Sequence, residues 1–179
     1  MAHYLLTAAG PDRPGIVAGV SKILFGLGCN LEDSSMTRLQ GEFAMLVIFS
    51  SPTSNNPRSL TTKLNVLAKK GVRIELKALG AKERRAPSSN GKPRLVTVYG
   101  EDKPGIVYHV TEALAHCDFN VTDLSTHRTE DEATAGYILY IEGEAPGGVS
   151  DQELADVLLE ETEDLGLTVS VKPLESSPL

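Results

Sequence analysis

Apolar and polar positions along the chain change their spacing in a fixed order. In the first half, short apolar or alternating runs predict strands at 3–9, from about 30, from about 43 and at 72–77. Apolar residues at helical spacing predict one helix from residue 16 and a second one that stops at Gly71. The predicted order of elements is therefore βαββαβ.

The second half of the chain repeats this order. Strands are predicted at 94–99, from about 120 and at 137–141, with a helix beginning near Ile106. The last helix is introduced by Ser150 and Glu153, a spacing typical of a capping box. The two halves are thus predicted to have the same secondary structure.

Direct comparison of the halves shows an internal repeat. Shifted by 90 positions, the sequence matches itself at 14 of the 34 positions from Leu5 to Arg38, without a gap. Unrelated sequences of average composition would match at roughly 1 position in 17. The identities include Asn30 with Asn120 and Arg38 with Arg128. The chain is therefore predicted to contain two copies of one unit.

A βαββαβ order is that of the ferredoxin-like fold. We predict an α+β protein with two such domains, each an antiparallel four-stranded sheet with both helices on one face. The first domain is expected at 1–80 and the second at 94–179. Residues 81–93 (AKERRAPSSNGKP) are charged and rich in Pro, Ser, Asn and Gly, which is typical of a linker.

The turn between the first strand and the first helix is the most similar part of the two copies. It reads GPDRPGIV from Gly10 and GEDKPGIV from Gly100. In the first copy, Pro14 is predicted at the first helical position, where its missing N–H has no intrahelical partner to lose. Gly15 leaves the backbone open to the approach of another molecule. Pro104 has the same predicted role in the second copy.

Such a turn has the chemistry to bind a zwitterion. Free N–H groups and the helix dipole favour a carboxylate, and Asp12 or Asp102 could contact an ammonium group. The same residues are equally suited to a purely structural turn, in which Pro begins the helix and Gly packs it against the sheet. Both interpretations follow from the residues alone.

With the DRPGIV and DKPGIV turns, the asparagine that opens the next strand, and the βαββαβ order, each half resembles the ACT domain, a regulatory module that binds amino acids. In that family the ligand lies between the turn of one domain and the start of the second strand of a neighbouring domain. An asparagine amide can donate to a carboxylate and accept from an ammonium group. The resemblance implies these site residues: Asp12, Arg13, Pro14, Gly15, Asn30, Asp102, Lys103, Pro104, Gly105 and Asn120.

The chain also resembles two-domain ACT regulators of transcription in glycine cleavage metabolism. The resemblance implies a non-catalytic amino-acid sensor, with glycine or a similar amino acid as effector and a transcription activator or another protein as partner. The alternative is a ligand-independent ACT module that assembles oligomers, such as a homodimer. Because Glu101 adds negative charge beside the second turn, that turn is expected to bind more weakly or not at all.

Composition and charge exclude several other classes. Apolar runs such as 44–49 are far shorter than a membrane helix, and we expect a cytoplasmic protein that does not bind membranes. Two cysteines and four histidines without ligand spacing indicate no metal, cofactor or catalytic site. Residues 1–90 carry a net charge of +6 and residues 91–179 a net charge of −13. Direct nucleic-acid binding is not expected from the acidic half.

Overall fold

The computed structural model describes residues 1–53, 55–80, 91–129 and 136–174. It divides into two compact units, Met1–Pro87 and Ser88–Leu179. Most of the predicted linker, 81–90, lies outside the described residues. The first strand of the second unit begins at Lys92.

The first unit has the predicted order of elements. A short 3-10 helix, Asn65–Lys70, continues its second α-helix as far as Gly71, which takes a left-handed conformation with φ of 81°. Its four strands form one antiparallel sheet in the order β2-β3-β1-β4. The elements are β1 Ala2–Pro11, α1 Ile16–Gly26, β2 Asn30–Leu39, β3 Glu42–Ser51, α2 Pro57–Leu64 and β4 Arg73–Leu79.

The second unit repeats this arrangement. Its sheet has the order β6-β7-β5-β8, again antiparallel, and a second 3-10 helix, Glu163–Leu165, follows the last α-helix. In both units the strand after the first helix has an irregular register at the same repeat position, between Leu31 and Asp33 and between Val121 and Asp123. The elements are β5 Lys92–Glu101, α3 Ile106–His116, β6 Asn120–Thr129, β7 Gly136–Ala145, α4 Asp151–Glu161 and β8 Thr168–Pro173.

Each unit has its own hydrophobic core between the sheet and the helices. Alternate residues of β1, such as Leu6, are fully buried and pack with Val20 and Leu24 of α1 and with Leu60 of α2. The intervening residues of β1 are only partly buried, because they lie on the face of the sheet that the helices do not cover. The predicted fold class, two ferredoxin-like units with helices on one face, is confirmed.

The helices differ in how their first turns are capped. Asn56 accepts a hydrogen bond from the backbone N–H of Ser59 at 2.8 Å and caps α2. Ser150 and Glu153 form the predicted capping box of α4, and the hydrogen bonds that Ser150 donates lower the pKa of the Glu153 carboxyl. Neither α1 nor α3 has a side-chain cap. No helix in the described ranges is both long and apolar enough to cross a membrane.

Candidate functional site

The turn from Asp12 to Gly15 connects β1 to α1 and is exposed to solvent. Gly15 is the N-cap of α1 and has φ of 87°, a left-handed conformation that side chains with a Cβ rarely adopt. The prediction that Pro14 occupies the first helical position is wrong. Because Gly15 is left-handed and therefore not helical, α1 begins at Ile16. Pro14 lies one residue before the N-cap.

The second turn has the same backbone geometry. Gly105 is the N-cap of α3 with φ of 97°, and α3 begins at Ile106. Pro104 therefore also lies one residue before the N-cap, and its predicted position is wrong for the same reason. The left-handed N-cap in both units gives a backbone reason for glycine at this position, because glycine adopts positive φ without a steric penalty.

A concave pocket of about 290 Å³ lies at the first turn. Its floor includes the uncapped start of α1, where the first N–H groups of a helix have no intrahelical acceptor. An added Cβ at Gly15 would meet nothing within 4 Å, so the backbone here is open. The residues that line the pocket are Asp12, Arg13, Pro14, Gly15, Ile16, Val17, Met36 and Phe43.

Both turn aspartates already contact an arginine at the far end of the second strand of their unit. Asp12 Oδ2 lies 3.5 Å from Arg38 Nη1, and Asp102 Oδ2 lies 2.5 Å from Arg128 Nη2. The backbone N–H of Asp12 also donates to the carbonyl of Gly41 at 2.8 Å. The arginines were not predicted as site residues, although Arg38 and Arg128 match in the repeat. Each pair connects its turn to the second strand of the same unit.

The second turn is more crowded than the first. The His109 ring lies so close that a Cβ added to Gly105 would be 3.3 Å from its Cδ2 atom. The equivalent residue of the first unit is Gly19, which has no side chain. Lys103 Nζ donates to the carbonyl of Leu165 at 3.2 Å and lies 3.7 Å from a Glu101 carboxylate oxygen.

Among the described residues, Arg13, the basic residue of the first turn, has fewer polar contacts than Lys103 has in the second. Arg13 is exposed, lines the pocket and has no ion pair within the described part of the chain. The two turns therefore present different surfaces to a ligand, although their backbones match. The first offers an open helix start with an exposed Arg13, whereas the His109 ring lies beside Gly105 in the second.

The two predicted asparagines do not lie beside the turn of their own unit. Asn30 pairs with Ser50 at one end of β2, whereas Arg38, which contacts Asp12, is at the other end. Eight residues of extended strand separate the two positions by roughly 25 Å. Asn120 has the same place in the second unit, opposite Glu144. Both asparagines are exposed.

Comparison with known proteins identifies the units. The sequence profile of the ACT domain matches the chain twice, at residues 2–77 and 93–172. The chain belongs to the ACT domain family. Each match spans one ferredoxin-like unit, and each contains one turn with a left-handed glycine and an aspartate–arginine pair.

Several proteins are similar to this chain over most of its length. The chain is 29% identical over 149 residues to the glycine cleavage system transcriptional repressor of Escherichia coli (strain K12), covering 80% of this chain and 76% of that protein. An unknown protein from Galdieria sulphuraria has a similar structure, with a TM-score of 0.80 and 25% identity, covering 97% of this chain and 99% of that one. A structure described as a glycine cleavage system transcriptional repressor has a TM-score of 0.67 and 21% identity over 98% of both chains. This similarity shows the same fold.

These similarities indicate that the chain has a regulatory role and is not an enzyme. The described residues contain no group of three or more His, Cys, Asp or Glu side chains placed to hold a metal ion. Both cysteines are partly buried free thiols. The first ACT turn has an open pocket at an uncapped helix start.

Proposed function

We propose that this chain is an amino-acid sensor whose first ACT unit binds the effector at the turn between β1 and α1. The observation that carries the proposal is the pocket of about 290 Å³ built on an uncapped helix start. Ligand pockets in proteins commonly have volumes of roughly 300–1,000 Å³. A pocket at the lower end of this range suits a small amino acid.

The residues of the pocket match the two charges of a zwitterion. The free N–H groups at the start of α1, the positive end of the helix dipole and Arg13 favour the carboxylate. The Asp12 carboxylate, which lies 3.5 Å from Arg38 Nη1 at the rim of the turn, suits the ammonium group. Arg13 is the residue of this set that is free to move toward the ligand.

The second turn has a weaker version of the same site in this proposal. Asp102, Lys103, Pro104 and Gly105 repeat the chemistry, but His109 lies against the turn and Lys103 already binds a carbonyl. Asn30 and Asn120 lie far from the turns of their own units, so they complete a site only where a neighbouring ACT unit supplies them. They remain predicted ligand contacts.

The proposed regulatory target is supported by similarity to relatives. Similarity to a glycine cleavage system transcriptional repressor supports glycine, or a similar amino acid, as the effector and transcription of amino-acid metabolism as the output. In the proposal the chain acts in the cytoplasm as a homodimer, through a transcription activator or another protein partner. The net charge of −7 is unfavourable for direct binding to nucleic acid.

A second candidate function is ligand-independent assembly. Every residue of β2 is exposed, and β2 is an edge strand whose outer backbone groups are available to another strand. The exposed side chains of β2 include Met36 and Leu39, the latter 76% exposed. A module that only forms oligomers would use such an edge without any small molecule.

Thermal unfolding against a panel of free amino acids distinguishes the two functions. We expect one or two amino acids at millimolar concentration to raise the Tm by several degrees, because a ligand at about 100 times its Kd adds ~2.7 kcal/mol. Acetate and methylamine, which each carry one of the two charges, are the controls and should have little effect. Cooperative unfolding that no amino acid shifts would favour the assembly module.

A further inference from the structure

The helices of the two ACT units carry charges of opposite sign. In the first unit, α1, α2 and the following 3-10 helix contain five basic residues and no acidic one. In the second unit, α3, α4 and the following 3-10 helix contain eight acidic residues and neither Lys nor Arg. The basic helix face is formed by Lys22, Arg58, Lys63, Lys69 and Lys70. The acidic helix face is formed by Glu112, Asp151, Glu153, Asp156, Glu160, Glu161, Glu163 and Asp164.

Neither face is neutralised within its own unit. All five residues of the basic helix face are exposed, and none has an ion pair among the residues that the structure describes. On the acidic helix face, Asp151 is paired with Arg94, and the other seven carboxylates have no such partner in the same ranges. Concentrated charge of one sign repels itself, and a surface of the opposite sign relieves that repulsion.

The basic helix face also contains an apolar groove. It has a volume of about 350 Å³ between α1 and α2, and Lys22 and Lys63 lie at its edges. Val66, which lines the groove, is 59% exposed, and Phe25 on α1 is 82% exposed. Large apolar side chains grouped with charges in this way are typical of interaction surfaces. The groove is lined by Lys22, Ile23, Gly26, Leu27, Lys63 and Val66.

The acidic helix face has matching features. Glu153, Asp156 and Glu160 recur at a spacing of three or four residues and so share the outer side of α4. Leu159 on the same helix is 43% exposed, and Tyr108 on α3 is 59% exposed. This face therefore offers carboxylates with apolar side chains among them, which is the complement of the basic helix face.

From these observations we infer that the basic helix face binds the acidic helix face of a second copy of the chain. In a two-fold symmetric dimer this contact occurs twice, since each copy supplies one face of each sign. The occupant is a second copy because the chain itself carries a surface that complements the first in charge and in exposed apolar side chains. The inference rests on the homodimer of the proposed function and is independent of amino-acid binding.

Charge reversal on either face should weaken the dimer. In sedimentation equilibrium of the full chain, we expect Lys22→Glu with Lys63→Glu to raise the dimer Kd about tenfold or more, because like charges would then face each other. Asp156→Lys with Glu160→Lys should have a similar effect. Raising the salt from 50 to 500 mM should weaken the wild-type dimer, since salt screens charges across the contact.

Mixing the two double variants is the decisive step. In a mixed dimer, the reversed first unit of one variant meets the reversed second unit of the other, and the remaining contact is native. An equimolar mixture should therefore regain a dimer Kd within about threefold of the wild type, well below the tenfold change that marks a lost charge contact. A contact within one chain could not be restored by mixing.

A matched control reverses two charges on the edge strands. Arg73→Glu with Lys172→Glu makes the same change in net charge as the first double variant and should leave the Kd within about twofold, as is usual for exposed charges outside a contact. A chain that is monomeric at all concentrations and salts, or variants whose mixture stays monomeric, would overturn the inference. Thermal shifts by amino acids should persist in the control variant, which stays dimeric, so their loss there would count against the sensor and not against this interface.

Discussion

Gly10→Ala should destabilise the first ACT unit by about 3 kcal/mol, enough to lower its Tm by more than ~10 °C for a unit of this size. A Cβ at this position would be 2.5 Å from the carbonyl oxygen of Gly71 and 3.1 Å from the Cα of Val72. Because these are backbone atoms that connect the 3-10 helix to β4, they cannot move aside without disturbing the sheet. Thermal unfolding followed by circular dichroism measures the change.

The equivalent glycine of the second unit is the matched control. A Cβ at Gly100 would be 2.5 Å from Cδ2 of Leu167, which is the end of a side chain and can change rotamer. Gly100→Ala should therefore cost no more than about 1 kcal/mol. Gly26→Ala, at an open position near the end of α1, should be neutral or slightly stabilising. Equal losses for Gly10→Ala and Gly100→Ala would show that contact with backbone is not what distinguishes the two sites.

His109→Ala is expected to open the second ACT turn to the effector. The histidine ring lies against Gly105, and removing it leaves the turn as open as that of the first unit, which has Gly19 at this position. Isothermal titration with the amino acid that gives the largest thermal shift should report one site per chain for the wild type and two for the variant. The new site should be the weaker one, because Lys103 stays bound to the carbonyl of Leu165.

His116→Ala is the control for this prediction, since His116 is exposed near the end of the same helix and does not contact the turn. It should leave the number of sites at one. A folded His109→Ala variant that still binds a single equivalent would show that something other than the ring closes the second turn. Two sites in the wild type would show that the ring does not exclude the ligand.

The fold was predictable because both periodicities are clear and each occurs twice. Alternation from Leu6 to Ala8 and helical spacing from Ile16 to Leu24 separate the elements, and the repeat confirms each assignment in the other half. The helix starts were less predictable. A Pro-Gly pair suits either a helical first turn or a left-handed N-cap, because glycine adopts both conformations, and only the structure shows the second.

The local part of the candidate site could be predicted from the sequence, but its long-range contacts could not be predicted from a local motif. The turn residues from Asp12 to Gly15 are adjacent in sequence, so a local motif identifies them. The Asp12 and Arg38 contact joins residues 26 positions apart, and it depends on β1 and β2 finishing at the same end of the sheet, on either side of β3. Both residues recur at matching positions of the two halves, and this recurrence could have indicated the contact. The difference between Gly19 and His109 could likewise have indicated that the two turns differ in how open they are.

Amide chemical shifts during an amino-acid titration test the central claim most directly. At 19.2 kDa the chain is within reach of a two-dimensional ¹⁵N–¹H spectrum. With the amino acid that gives the largest thermal shift, or glycine if none stands out, the largest changes should occur at the backbone amides of Gly15, Ile16, Val17 and Ala18. If these four amides stay unmoved while the whole amino-acid panel is titrated, the first ACT turn is not the effector site.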